Sequence, residues 1–296
     1  MTDILDILAC PTCSAPLHRD GGSLKCLLGH TFDIAKSGYV NLLPPGKGKN
    51  AHTGDERDMV KARVSFLSRG YYNRISKNAA ALIASRFSHD LPITLVDMGA
   101  GEGYHTLLCT TELRKSGFDV LSVGFDASKY ASECGMKKAR AAALSSKNSF
   151  ECSSSLYFIP ANIFSLPIAD ASADVCLSMF APIPWDEVCR VLKKSPGSML
   201  LVVSSGKNHL IEMRRLIYDS VVISDSLPEA DERFSLVSSE ELEYKTRLTS
   251  PEDIQNLFMM TPFYYKTTEE GKNRLFSHGE LEITVDVNYT IFRLAQ

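Results

Sequence analysis

Ile93-Thr94-Leu95-Val96-Asp97-Met98-Gly99-Ala100-Gly101-Glu102-Gly103-Tyr104 is the stretch that decides the fold. Residues 93–96 form an apolar run suited to a buried strand. An acid follows, then glycines at alternate positions, then a helical stretch opening near Tyr104. Glycine lets a backbone turn sharply and approach a ligand that a Cβ would exclude. The spacing departs from the dinucleotide fingerprint, whose second and third glycines stand further apart. Outward from this loop, short apolar runs at 120–125, 156–159, 175–179 and 199–203 alternate with helical segments. That pattern predicts a parallel sheet with helices on its faces. Residues 283–292 alternate branched and polar side chains, as an edge strand added antiparallel to such a sheet would.

An acid followed by alternating glycines resembles the first motif of class I methyltransferases, where the loop cradles the amino-acid part of S-adenosylmethionine. Asp97, Gly99, Gly101, Glu102, Gly103 and Tyr104 are the candidate loop residues. Asp126 closes the second strand, where a carboxylate can accept both ribose hydroxyls of a nucleoside. After the third strand, Asn162 is placed to bond an adenine amine, with Ile163 beside the ring. The expected fold is therefore α/β, a class I methyltransferase Rossmann-like domain with a mostly parallel seven-stranded sheet.

The N-terminal region reads differently. Cys10-x2-Cys13 and Cys26-x3-His30 give three thiolates and one imidazole on two tight knuckles. Zinc takes four such ligands in a tetrahedron, and four leave no open position, so a structural zinc is expected. His18 reads as an ordinary exposed histidine. The segment is too short to bury a core unaided, which gives a metal a folding role. The remaining five cysteines are scattered singly and read as reduced thiols. Three divisions follow: a zinc-binding domain over 1–43, a linker and helices over 44–90, and a catalytic domain over 91–296.

The chain has 296 residues and a formal net charge of -3, so any nucleic-acid site must be local. Lys47, Lys49, Arg57, Lys61 and Arg63 make such a local basic strip after the zinc segment, suited to phosphates or simply to a solvated helix face. No segment approaches the roughly 18 apolar residues of a membrane span. The first eight residues lack a secretory pattern, so the expected address is cytoplasmic and no membrane partner is expected.

Several stretches together resemble the 23S ribosomal RNA (guanine-N1)-methyltransferase family, the RlmA-type enzymes. They are the knuckles, Phe32-Asp33-Ile34-Ala35-Lys36-Ser37-Gly38-Tyr39-Val40-Asn41-Leu42-Leu43-Pro44, Gly54-Asp55 through Ala62-Arg63 to Phe66-Leu67, and residues 97–106. Phe180-Ala181-Pro182, His209-Leu210 and Met260-Thr261-Pro262-Phe263 extend the match. The resemblance implies methyl transfer from S-adenosylmethionine to N1 of a guanine in a domain II hairpin of 23S rRNA, free or in a large-subunit precursor particle. It also implies a homodimer. Phe180 falls where a target-side loop sits, and reads either as a stacking surface for an extruded base or as a core aromatic at a strand end. Asp170, Asp174 and Asp186 are nearby acids, and none is assigned as a base. Two rival readings are a small-molecule methyltransferase, against which the zinc segment argues, and a noncatalytic zinc-bearing RNA-binding or assembly factor. Intact Gly99, Gly101, Gly103 and Asp126 argue against the second.

Overall fold

The computed structural model describes residues 3–44, 56–145, 155–221, 223 and 227–295. At the N-terminus, β1 (Leu17–Asp20), β2 (Ser23–Cys26) and β3 (Thr31–Asp33) form a small antiparallel sheet. Gly21-Gly22 joins the first two strands as a two-residue hairpin, with Gly21 at φ 58 supplying the left-handed turn. This module is anchored to the rest of the chain by backbone bonds: Ala9 N–H to Pro167 O at 2.9 Å, Ala169 N–H to Ile7 O at 2.8 Å, and Leu42 N–H to Pro160 O at 3.0 Å.

Helices α1 (Arg57–Ser68) and α2 (Asn73–Ala84) follow. They bury Phe66, Leu67, Ile75, Ala79 and Ile83 in one core with the main sheet. Residues 57–84 thus form two helices, as the apolar spacing predicts, and pack onto the main sheet.

The main sheet contains β4 (Ile93–Met98), β5 (Val120–Asp126), β6 (Leu156–Pro160), β7 (Val175–Met179), β8 (Met199–Ser205), β9 (Phe234–Leu248) and β10 (Leu281–Leu294). Its order is β6-β5-β4-β7-β8-β10-β9, with β10 antiparallel to both neighbours and the first five strands parallel. This is the class I methyltransferase arrangement expected from the sequence. All six residues of β4 are buried, as in a central strand covered on both faces. Between the strands run α3 (Tyr104–Lys115), α4 (Lys129–Ser145), α5 (Trp185–Val191), α6 (Ile211–Ile217), α7 (Pro251–Met259) and α8 (Glu269–Phe276). Chain order reverses at β4, so a crevice opens at the carboxyl ends of β4 and its neighbours.

The strand expected over 283–292 is present as β10, but it lies one position inside the edge. The edge is β9, whose first half is Ser- and Glu-rich and mostly exposed. In its second half Leu242, Tyr244, Thr246 and Leu248 alternate with charged residues, Leu248 buried in the core and Leu242 and Tyr244 packed against it. Among the described residues no helix is long and apolar enough to cross a membrane. Lys47, Lys49 and Gly54-Asp55 lie outside the described residues.

Candidate active site and metal centre

The loop after β4 bends through three left-handed glycines, Gly99 at φ 90, Gly101 at φ 56 and Gly103 at φ 83. Their roles differ. A Cβ on Gly99 would stand 2.6 Å from the Ala181 Cβ, and one on Gly101 would stand 3.4 Å from Arg63 Nη1. Both glycines border a cavity of about 910 Å³. A Cβ on Gly103 would instead meet the Phe158 ring at 2.5 Å, so this glycine lets α3 close onto β6.

Asp97 lies inside β4 and is buried. Its Oδ2 accepts from Thr106 Oγ1 at 2.5 Å, while Oδ1 has no partner among the described residues. Burial, opposed by the Thr106 bond and reinforced by the charge of Asp126, raises its pKa to about 7. A buried carboxylate oxygen without a partner beside a glycine cradle suits a cationic ligand group such as the ammonium of S-adenosylmethionine. Glu102 is also buried, but its carboxylate pairs with Lys138. Tyr104 lines the cavity and donates its hydroxyl to Asn73 Oδ1 at 2.5 Å.

Asp126 stands at the end of β5, with Oδ2 accepting from Gly101 N–H at 2.9 Å and Oδ1 from Ser128 N–H at 2.8 Å. Ala161 N–H donates to the Asp126 carbonyl at 3.0 Å, which brings Asn162 and Ile163 beside it. Asn162 is exposed and accepts from Phe164 N–H at 3.0 Å. The loop, Asp126 and Asn162 thus gather at the carboxyl edge of β4, β5 and β6, as strand order dictates.

Phe180 follows β7 in the left-handed region at φ 56, a conformation that costs a bulky residue energy and clusters at functional sites. It lines the same cavity as Gly99 and Gly101 and is 42% exposed, so it is not a core aromatic. Its ring lies 6.2 Å from His105 and 5.9 Å from His209. Burial lowers the pKa of His105 to about 3, helped by the charge of Arg63, and that of His209 to about 4. Both rings are therefore neutral at pH 7. His105, Tyr72 and Arg63 were not read as cavity residues from sequence, because distant segments bring them together. For His105, its place one residue after Tyr104 was the available signal.

Asp170 and Asp186 pair with Arg190 and Arg233, and Asp174 accepts from Lys193 Nζ and Thr94 N–H. They are engaged in structural bonds away from the cavity. The basic strip is divided: Lys61 pairs with Asp58 at 2.9 Å, Arg57 lies over the Tyr130 ring at 5.3 Å, and Arg63 lines the cavity.

In the N-terminal module the ligand atoms of Cys10, Cys13, Cys26 and His30 all lie within 4.8 Å of one another. Cys13 Sγ is 3.7 Å from Cys26 Sγ, and His30 Nδ1 is 3.6 Å from Cys10 Sγ and 3.3 Å from Cys26 Sγ. A zinc tetrahedron with Zn–S near 2.3 Å and Zn–N near 2.0 Å has edges of about 3.8 Å and about 3.5 Å. The donor set fits the ion in number, chemistry and spacing. His18, exposed on β1, is not in the group.

The zinc-ribbon family described as RlmA, N-terminal matches residues 8–50. A Streptomyces fradiae protein named 23S rRNA (guanine(748)-N(1))-methyltransferase is 32% identical over 211 residues, covering 71% of this chain and 68% of that one. The Bacillus subtilis (strain 168) protein YxjB, named as a candidate 23S rRNA (guanine-N(1)-)-methyltransferase, is 30% identical over 290 residues, with 95% of each chain covered. With a zinc-fitting N-terminal cluster, a seven-stranded methyltransferase sheet and likeness of this extent, the chain belongs to the 23S rRNA (guanine-N1)-methyltransferase family.

Proposed function

We propose that this protein transfers a methyl group from S-adenosylmethionine to N1 of a guanine in 23S rRNA. The target is a domain II hairpin, met as free RNA or in a large-subunit precursor particle, and the enzyme acts as a cytoplasmic homodimer. The observation that carries this reading is the shared cavity of the Gly99–Gly101 backbone and the left-handed Phe180. Cofactor cradle and base platform then face one space, as direct transfer between them requires. Family membership supports the RNA substrate.

When bound, S-adenosylmethionine supplies a methyl group on a sulfonium, an electrophile that needs alignment more than covalent help. Gly99 and Gly101 leave room for the methionine part, and an ionised Asp97 carboxylate would hold its ammonium. Asp126 would accept from the ribose hydroxyls, and Asn162 and Ile163 would flank the adenine. Phe180 stacks on the extruded base. Cys10, Cys13, Cys26 and His30 hold one structural zinc that keeps the ribbon over 1–43 folded. Lys47, Lys49, Arg57 and Lys61 contact phosphates, and Arg63 serves the cavity. The residues between 44 and 90 connect ribbon to catalytic domain and close over its site through α1.

Labelled methyl transfer from the cofactor to 23S rRNA transcripts, followed by mass spectrometry of the product nucleoside, tests the reading. Formation of N1-methylguanosine supports it. A folded, zinc-loaded protein that labels small molecules but no RNA would overturn it.

A further inference from the structure

Tyr72 and His209 line the cavity beside Phe180 from opposite ends of the chain's core. Tyr72 is the residue that enters α2, and His209 follows the β8 strand. The Asp286 backbone N–H lies 3.2 Å from His209 Nδ1, and a backbone N–H can only donate, so Nδ1 is the acceptor. A neutral imidazole carries its single proton on the other nitrogen. Nε2–H, 3.3 Å from the Tyr72 hydroxyl, is therefore the donor of that second bond. The tyrosine oxygen accepts, and its own proton is committed to no acceptor among the described residues. Burial keeps both groups in this state: it lowers the His209 pKa to about 4 and holds the Tyr72 hydroxyl well above the usual tyrosine range.

We infer that the Tyr72 hydroxyl donates to the 6-oxo group of the target base, with His209 as the positioning residue that orients and polarises it. This rests on the guanine reading above. Methylation at N1 breaks the S–C bond, whose pair stays on sulfur, and the N1–H pair becomes the N1–C bond while the proton passes to water. As that proton leaves, negative charge spreads from N1 to O6. A fixed donor at O6 stabilises this form, as an oxyanion-hole donor does. It also selects the base. Guanine presents an acceptor at position 6, where adenine presents an amino group, and a site built around a donor rejects the mismatch.

The test compares full-length, zinc-loaded wild type with Tyr72→Phe and His209→Gln on the same 23S rRNA transcript. Tyr72→Phe is expected to bind the cofactor product within about twofold of wild type. Its kcat falls by roughly 10²–10³-fold, the range for loss of one oxyanion donor, with KM for RNA little changed. The loss shrinks as pH rises from 7 to 9.5, because bulk deprotonation at N1 then replaces the missing donor. Of the groups around the pair, His105 is held neutral and the Tyr244 hydroxyl protonated by burial. Arg63 and Arg214 also face the pair, and Asp286 is bonded to Asn208 N–H. Lys138, paired with Glu102 on the cavity wall, has its pKa lowered by burial to about 8, and Asp97 stands at about 7. Both titrate in wild type and variants alike, so the ratio of variant to wild-type rate reports the base. His209→Gln keeps an N–H donor and is expected to lose about tenfold with the same trend. It carries the test alone if Tyr72→Phe does not fold. Variants within threefold of wild type, or a loss equal at every pH, would overturn the inference. A wild type that labels no RNA would instead remove the guanine reading itself.

Discussion

Asp97 carries the sharpest consequence of any single residue. Its folded pKa of about 7 stands above the ordinary value of 3.8, chiefly because burial penalises the charge. In the ligand-free protein the protonated form predominates below pH 7, so its contribution to stability is full below pH 4 and is lost as pH rises through about 7. Binding an ammonium group requires the opposite, an ionised Asp97. Affinity for S-adenosylhomocysteine should therefore fall by roughly tenfold per pH unit below 7, the limit for one coupled proton. Calorimetric titration between pH 5 and 8 measures this, and Asp97→Asn should bind weakly with no such slope. A flat wild-type profile would remove the ammonium role. Phe180 is the second case. Its left-handed φ is held against steric preference, and its ring is partly open to the cavity. Phe180→Ala should keep cofactor-product binding while methyl transfer to RNA drops at least tenfold, and equal transfer with equal RNA affinity would end the stacking proposal.

In the loop between β4 and α3, three glycines that look equivalent in sequence do different physical work. Gly103→Ala would put a Cβ against the Phe158 ring at 2.5 Å in a left-handed backbone. Left-handed strain of about 1–2 kcal/mol and overpacking of about 1–3 kcal/mol give an expected loss of about 2–5 kcal/mol in denaturant unfolding. Gly21, equally left-handed but with open space around it, should lose only the strain when changed to Ala. A Gly103→Ala protein as stable as Gly21→Ala would show that Phe158 yields freely. The strand and loop were legible because a buried parallel strand is a continuous apolar run and a left-handed bend needs glycine. The zinc knuckles were legible for a similar reason, since their spacing alone sets the geometry. The edge strand β9 is legible only in its second half, where Leu242, Tyr244, Thr246 and Leu248 alternate with charges, a signal the sequence reading missed. Its Ser- and Glu-rich first half pairs with β10 through backbone bonds that its polar side chains do not report. The bond between Tyr72 and His209 was not legible, its partners being 137 residues apart.

Over the whole molecule, the zinc ribbon and the catalytic sheet share one continuous core. Ile4, Leu8, Val40 and Leu42 pack in the same cluster as Val123, Ile159 and Ile168. The cavity, however, is lined from Met59 onward, and no described ribbon residue borders it. Those two facts separate stability from cofactor binding. Chelation of the zinc removes the ion that closes four ligands, so the ribbon loses its fold and withdraws apolar cover from β5 and β6. Thermal unfolding should then shift downward for the catalytic domain too, where an independent appendage would leave that transition in place. Affinity for S-adenosylhomocysteine should stay within severalfold at 10 °C, because the loop, Asp97 and Asp126 keep their own supports. If the ribbon also helps to hold the RNA, methyl transfer to RNA should fall much further than cofactor binding. Loss of both in parallel would mean that the ribbon props the cavity, and retention of RNA methylation by the chelated protein would mean that it does not hold RNA.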